Sequence, residues 1–132
     1  MLHGQIGAQR LPQALLPDRP TEIGWYAYGP APGADAGSAV LGGHIDSRRY
    51  GVGPLVKLQR LEQGDTIVVT SAQGRTTFSV TTVERITKRA LPVGELFRRT
   101  GSPELRIITC GGPYDSRSGG YQDNVVVTAR PR

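Results

Sequence analysis

Two residues of the chain have side chains that together could carry out nucleophilic chemistry. Cys110 is the only cysteine among 132 residues, and it ends the apolar stretch Leu105–Cys110. His44 is one of two histidines and ends a second apolar stretch, Ser38–His44. A cysteine attacks a carbonyl carbon as the thiolate, which an adjacent imidazolium stabilises. Neighbouring strands would bring the two groups to one sheet edge; otherwise Cys110 is a small buried residue and His44 is held by loop backbone.

The stretches that would position these residues are predicted to be short strands. Val, Ile, Thr and aromatic residues are concentrated in six segments, as β-strands require: Ile23–Tyr28, Ser38–His44, Thr66–Thr70, Thr76–Ile86, Leu105–Cys110 and Asn124–Ala129. The segments Asp46–Pro54 and Gly111–Gln122 are polar and contain glycines, which predicts loops. The sequence therefore predicts a mainly β protein, a barrel or a sandwich.

Two local signals refine this prediction. Gly74 provides the backbone freedom for a tight hairpin between the third and fourth predicted strands. Pro92–Arg99 has a proline at a favourable first helical position and apolar residues on one face, which predicts a helix of one to two turns. The length fits one domain, and three prolines within residues 1–20 indicate an arm preceding a folded domain at 21–132.

Composition argues against several functions. The net charge is +5, but the basic pairs are scattered and not interleaved with base-stacking aromatic residues, so nucleic acid is not an expected partner. Binding to an anionic polymer stays open and would show a steep salt dependence. A single cysteine excludes a disulfide within the chain, and the 11 acidic residues are not clustered, so we expect neither a metal nor a cofactor. No apolar stretch is long enough to span a bilayer.

Several motifs resemble those of the sortase family. Ile-Ile-Thr-Cys at Ile107–Cys110, followed by a glycine-bearing loop and Asn-Val-Val-Val, resembles the sortase signature. Val40–Asp46, which contains Gly-Gly-His-Ile-Asp, resembles the sortase strand that delivers the catalytic histidine. The segments Gly24–Gly33, Gly64-Asp65 and Tyr121–Asn124 look most like class F sortases of actinobacteria. The resemblance extends over about residues 20–130.

This resemblance implies a closed eight-stranded β-barrel with short helices and a cysteine transpeptidase activity. Cys110 would cleave an LPXTG-like sorting motif after its Thr and form a thioacyl intermediate, which an amine then resolves. His44 would exchange protons with the leaving and entering amines. The implied partners are surface proteins with a C-terminal sorting motif and an amine acceptor of the cell wall or pilin. The implied location is the extracellular face of the cytoplasmic membrane, through an anchor absent from this sequence.

The chain departs from the family at the start of its last predicted strand, where sortases usually have an arginine and this sequence has Asn124. Asn124 and Arg117 are candidate oxyanion donors, and Arg106 is a candidate for lining the substrate groove. The alternatives are a capping asparagine and solvated arginines. Asp46 either orients the imidazole or begins a turn. A cysteine peptidase that only hydrolyses and a catalytically silent β-barrel binding module remain as competing functions.

Overall fold

The structure is a computed structural model. It describes residues 3–7, 9–11, 24–26, 29–43, 46–47, 51–52, 58, 60–71, 74–87, 90, 92–115 and 120–132. The secondary structure of these residues is mainly β, as the sequence predicts.

Ten strands and one short helix follow each other along the described chain. The strands are β1 (His3–Gly7), β2 (Gln9–Leu11), β3 (Gly24–Tyr26), β4 (Ser38–Gly43), β5 (Asp46–Ser47), β6 (Gly51–Val52), β7 (Thr66–Ser71), β8 (Gly74–Thr87), β9 (Glu104–Asp115) and β10 (Gly120–Pro131). The helix α1 (Val93–Leu96) lies between β8 and β9.

Eight of these strands form one curled sheet in the order β1-β7-β8-β10-β9-β4-β3-β2. The C-terminal strands β9 and β10 are therefore central, and β9 lies between antiparallel β10 and parallel β4. The edge strands β1 and β2 are consecutive in sequence, and they pair in parallel with β7 and β3. The segment 1–20, predicted to be an arm, thus contributes both edges of the sheet, a result of non-local pairing that local patterns do not reveal.

The predicted hairpin and helix are confirmed. Strands β7 and β8 pair up to Ser71 and Gly74, and Gly74 has a φ of 128°, which glycine adopts without strain. Helix α1 is one turn long, and the Leu96 amide donates to the Pro92 carbonyl at 3.0 Å.

Two predicted loops are wrong in part. The stretch from Gly111 to Gln122 was expected to be a loop, but β9 continues to Asp115 and β10 begins at Gly120. Pairing between the two strands overrides the weak β-propensity of these glycine-rich and polar residues. Within the other expected loop, β5 and β6 form a small antiparallel pair.

The core lies on one face of the sheet. On β9 the fully buried Leu105 and Ile107 alternate with the half-buried Arg106 and Ile108, which is the period of two that a strand imposes. The core cluster comprises Ala39, Leu41, Leu58, Ile67, Val69, Phe78, Val80, Leu105, Ile107, Val125, Val127 and Ala129. Each large member contributes roughly 1.5–3 kcal/mol through burial, so the central strands are firmly held in register.

Candidate active site

The backbone of Cys110 lies in the centre of the sheet. Cys110 belongs to β9 and pairs with Asn124 of β10, in an antiparallel register that is regular from Cys110 to Leu105. Directly opposite residues of antiparallel strands have Cα atoms about 4.5–5.5 Å apart. Asn124 also pairs with Ile86 of β8 and is partly exposed. The candidate oxyanion donor Asn124 thus lies directly opposite the candidate nucleophile Cys110 on the neighbouring strand.

The strand that precedes His44 runs parallel to the strand that carries Cys110. The β4–β9 ladder extends from Ser38 and Glu104 to Gly43 and Thr109, which are the residues immediately before His44 and Cys110. The Thr109 hydroxyl donates to the Gly43 carbonyl at 2.7 Å. His44 itself lies outside the described residues.

The Arg106 guanidinium forms ion pairs with the carboxylates of Glu104 and Glu95. Its Nε donates to Glu104 Oε2 at 2.6 Å, and one terminal nitrogen lies 3.6 Å from Glu95 Oε1. The side chain is only 13% exposed. Arg106 is four residues from Cys110, which corresponds to about 13 Å along a strand. Its charge is therefore used within the protein, where it ties α1 to β9.

Glu104 connects Arg106 with a second arginine. The Arg98 guanidinium lies 3.0 Å from Glu104 Oε1, and the Ser38 hydroxyl lies 3.4 Å from Glu104 Oε2. Burial alone would raise the pKa of the Glu104 carboxyl, but the hydrogen bond and charge of Arg106, followed by those of Arg98, outweigh it and lower that pKa. Glu104 is therefore ionised at neutral pH. We refer below to Glu104, Arg106, Arg98 and Glu95 as the Glu104 cluster.

Sequence reasoning missed the Glu104 cluster. The Glu-x-Arg spacing at the start of β9 places two opposite charges on one face of a strand, and this signal is visible in the sequence. The partner Arg98 belongs to the connection before β9, and no local sequence pattern indicates that its side chain contacts Glu104. Backbone bonds reinforce this junction: the Ser38 amide donates to the Arg98 carbonyl at 2.9 Å, and the Glu104 amide donates to the Gly37 carbonyl at 3.0 Å.

The remaining candidates are not placed by the structure. Arg117 lies outside the described residues, and the side chains of Cys110 and Asp46 are likewise outside them. Within the described part of the chain, no three His, Cys, Asp or Glu side chains come together as a metal site. No helix among the described residues is long and apolar enough to cross a membrane.

Comparison with known proteins identifies the family. The sortase domain model matches residues 6–132, and the chain therefore belongs to the sortase family. No curated protein matches the sequence.

Solved sortase structures share the fold. Sortase C1 of Streptococcus agalactiae has a TM-score of 0.66 at 20% identity, and the match covers 85% of this chain and 54% of that one. Sortase C-1 of Actinomyces oris has a TM-score of 0.65 at 22% identity, with coverage of 83% and 58%. Sortase C of Clostridium perfringens SM101 has a TM-score of 0.62 at 15% identity, with coverage of 83% and 54%. The chain thus spans little more than half of each neighbour, and the expected mainly β, sortase-type fold is confirmed.

Proposed function

We propose that the chain is a cysteine transpeptidase in which Cys110 is the nucleophile and His44 its proton-transfer partner. The observation that carries the proposal is the pairing of Gly43 with Thr109 at the end of the β4–β9 ladder. Because the two strands are parallel, their chains leave this pair in the same direction, and the next residues in sequence are His44 and Cys110. Membership of the sortase family supports a cysteine transpeptidase, and Cys110 is the only cysteine of the sequence.

The proposed reaction has two steps. The Cys110 thiolate attacks the carbonyl carbon of the Thr in an LPXTG-like motif, the Thr–Gly bond breaks, and protonated His44 supplies the proton that the departing amine needs. An amine acceptor then attacks the thioester, His44 takes the proton that this amine loses, and the Cys110 thiolate leaves. The products are a new amide bond and the free enzyme, so no oxidant or cofactor is required.

Asn124 is the best supported of the three candidates for stabilising the oxyanion. It pairs directly with Cys110 and is partly exposed, and a neutral amide donor of this kind is worth about 2.7–4 kcal/mol where it has been removed from other enzymes. Arg117 remains a second candidate. Arg106 shares its charge with Glu104 and Glu95, which favours a role in shaping the substrate groove over one at the oxyanion.

The finer assignments are also proposals. Class F is supported by the segments Gly24–Gly33, Gly64-Asp65 and Tyr121–Asn124. The structural neighbours named above are sortases of type C, at identities that show the fold alone. Substrates would be surface proteins that carry a sorting motif, and the acceptor would be an amine of the cell wall or a pilin. Such chemistry places the enzyme at the cell surface.

The test is cleavage of a fluorogenic Leu-Pro-x-Thr-Gly peptide with and without an added amine. We expect an amine-dependent ligation product, and we expect Cys110→Ala and His44→Ala each to lose at least about 10³-fold in rate. His3→Ala is the matched control, because His3 is the only other histidine and pairs with Thr66, away from β9.

Other outcomes would favour the competing functions. Cleavage without ligation across several amines would indicate a hydrolase. No turnover over a library of sorting motifs, together with a Cys110 that resists alkylation in the folded protein, would refute the enzyme and indicate a binding module. Since Cys110 is the only cysteine, the alkylation rate reports on this residue alone.

A further inference from the structure

Thr109 is a polar residue at an inward-facing position of β9. The inward positions before it, Leu105 and Ile107, are apolar and fully buried, whereas Thr109 is 2% exposed and carries a hydroxyl. A buried hydroxyl costs free energy unless it has a hydrogen-bond partner. Thr109 finds this partner in the Gly43 carbonyl, across the last pair of the β4–β9 ladder.

The Gly43 carbonyl has a particular covalent position. It belongs to the peptide unit that joins Gly43 to His44, and the atoms of a peptide unit lie in one plane. A bond to this oxygen therefore fixes the orientation of the peptide plane from which the His44 backbone continues. The donor is the side chain of Thr109, the residue directly before Cys110. One hydrogen bond therefore joins the residue before Cys110 to the residue before His44.

We propose that Thr109 is a positioning residue, whose hydroxyl sets the placement of His44 relative to Cys110 through the Gly43 carbonyl. The inference rests on the proposed function for its effect on turnover. Thr109 makes no contact with substrate in this role. The volume of the side chain is secondary, and the hydroxyl is what matters.

Two comparisons isolate the hydroxyl, one of Thr109→Val with the unmodified protein and one of Thr109→Ser with Thr109→Ala. Thr109→Val removes it and keeps the shape, whereas Thr109→Ser and Thr109→Ala differ from each other only in the hydroxyl. We expect Thr109→Val and Thr109→Ala to lower kcat by about 10- to 100-fold with KM little changed, because a misplacement of about 1 Å has such an effect. Thr109→Ser should stay within about threefold of the unmodified protein. Should Thr109→Val fail to fold, the comparison of Ser with Ala decides.

The alkylation rate of Cys110 distinguishes a displaced His44 from a general loss of structure. This measurement needs no substrate. The rate of reaction with iodoacetamide is measured against pH for the unmodified protein, His44→Ala, Thr109→Val and the double variant. We expect the profile of Thr109→Val to move toward that of His44→Ala, and the double variant to match His44→Ala, because residues that act as a unit are not additive. Thr128→Val is the control: Thr128 is buried and pairs with Arg106, about 10 Å along the sheet from Thr109.

The outcomes distinguish this proposal from the proposed function. Thr109→Val with unchanged kcat and an unchanged alkylation profile would overturn the positioning role. So would an effect on alkylation that is equally large in the His44→Ala background, or equally large in Thr128→Val. A protein that processes no sorting peptide, yet whose Cys110 alkylation depends jointly on His44 and Thr109, would refute the transpeptidase and support the positioning role.

Discussion

Replacing Glu104 by glutamine is expected to destabilise the domain strongly for an isosteric change. The carboxylate is 9% exposed and accepts from Arg106 at 2.6 Å while pairing with Arg98 at 3.0 Å. Hydrogen bonds to charged groups contribute about 1.5–3 kcal/mol each, but the 26% exposure of Arg98 weakens one of the two. Glutamine keeps one acceptor and turns an amide donor towards an arginine. We therefore expect a loss of about 2–3 kcal/mol at pH 7.

The assay is thermal unfolding followed by circular dichroism and calorimetry. For a chain of this length, a loss of that size lowers Tm by about 7–11 °C. Glu95→Gln is the matched control because it also removes one carboxylate charge beside Arg106. The Glu95 Oε1 lies 3.6 Å from a terminal nitrogen of Arg106, and the Glu95 side chain is 66% exposed. An exposed pair of this kind contributes less than about 1 kcal/mol. If Glu104→Gln and Glu95→Gln melted at the same temperature, the Glu104 cluster would not stabilise the fold as described.

The pH dependence gives the same prediction a second test. Folding lowers the pKa of the Glu104 carboxyl, so the unfolded chain binds the proton first as the pH falls. The stabilisation is therefore present above the ordinary carboxyl pKa of 4.5 and is lost as the pH falls through the lower pKa of the folded state. The difference in Tm between the unmodified protein and Glu104→Gln should shrink on acidification below 4.5. A difference that stayed constant down to pH 3 would contradict an electrostatic origin.

Two further predictions concern stability and are measured by the same unfolding assay. Gly37 and Gly64 both have positive φ, but a Cβ would lie 2.5 Å from the Arg99 carbonyl oxygen at Gly37 and would meet nothing within 4 Å at Gly64. Gly64→Ala should therefore lower the free energy of unfolding by about 1–2 kcal/mol through backbone strain alone. Gly37→Ala should lower it clearly more, because the Cβ also meets the Arg99 carbonyl. Equal losses in the two variants would contradict this close contact. Leu96 in α1 is fully buried, so Leu96→Ala should cost about 2–5 kcal/mol, and a loss below 1 kcal/mol would mean that the helix does not pack as described.

Local patterns predicted the elements whose own residues carry a clear secondary-structure signal. The hairpin of β7 and β8 was predicted because Gly74 lies between two β-prone segments. Strand β4 was predicted nearly to its last residue, since Ser38–Gly43 is a continuous small and apolar run. Strand β1 was not, because its partner β7 lies far along the chain and only the assembled sheet defines it. Strand β2 was not, because it is only three residues long and prolines follow it in the segment 1–20.

The candidate site stays a prediction, and its geometry depends on the order of the strands in the sheet. The apolar stretches that carry Cys110 and His44 could be recognised one at a time, and their proximity was a hypothesis about strand order. The structure supplies the order, with β4 beside β9 and Gly43 opposite Thr109. The Thr109 hydrogen bond and the Glu104 cluster could not be predicted, because each joins residues that come together only in the folded sheet. The assignment of catalytic roles remains a prediction.

The order of strands in the sheet has a consequence for the synthesis of the protein. Strand β10 follows β9 in the sequence yet lies between β8 and β9, and β9 in turn separates β10 from β4. Residues that touch across the β4–β9 ladder, such as Gly43 and Thr109, are 66 positions apart. A nascent chain therefore exposes unpaired edges of β4 and β8 until β9 and β10 have been synthesised, and open edges invite pairing with other chains. Formation of the sheet has to wait for β9 and β10 and should be slow, in the millisecond to second range of domains dominated by non-local contacts.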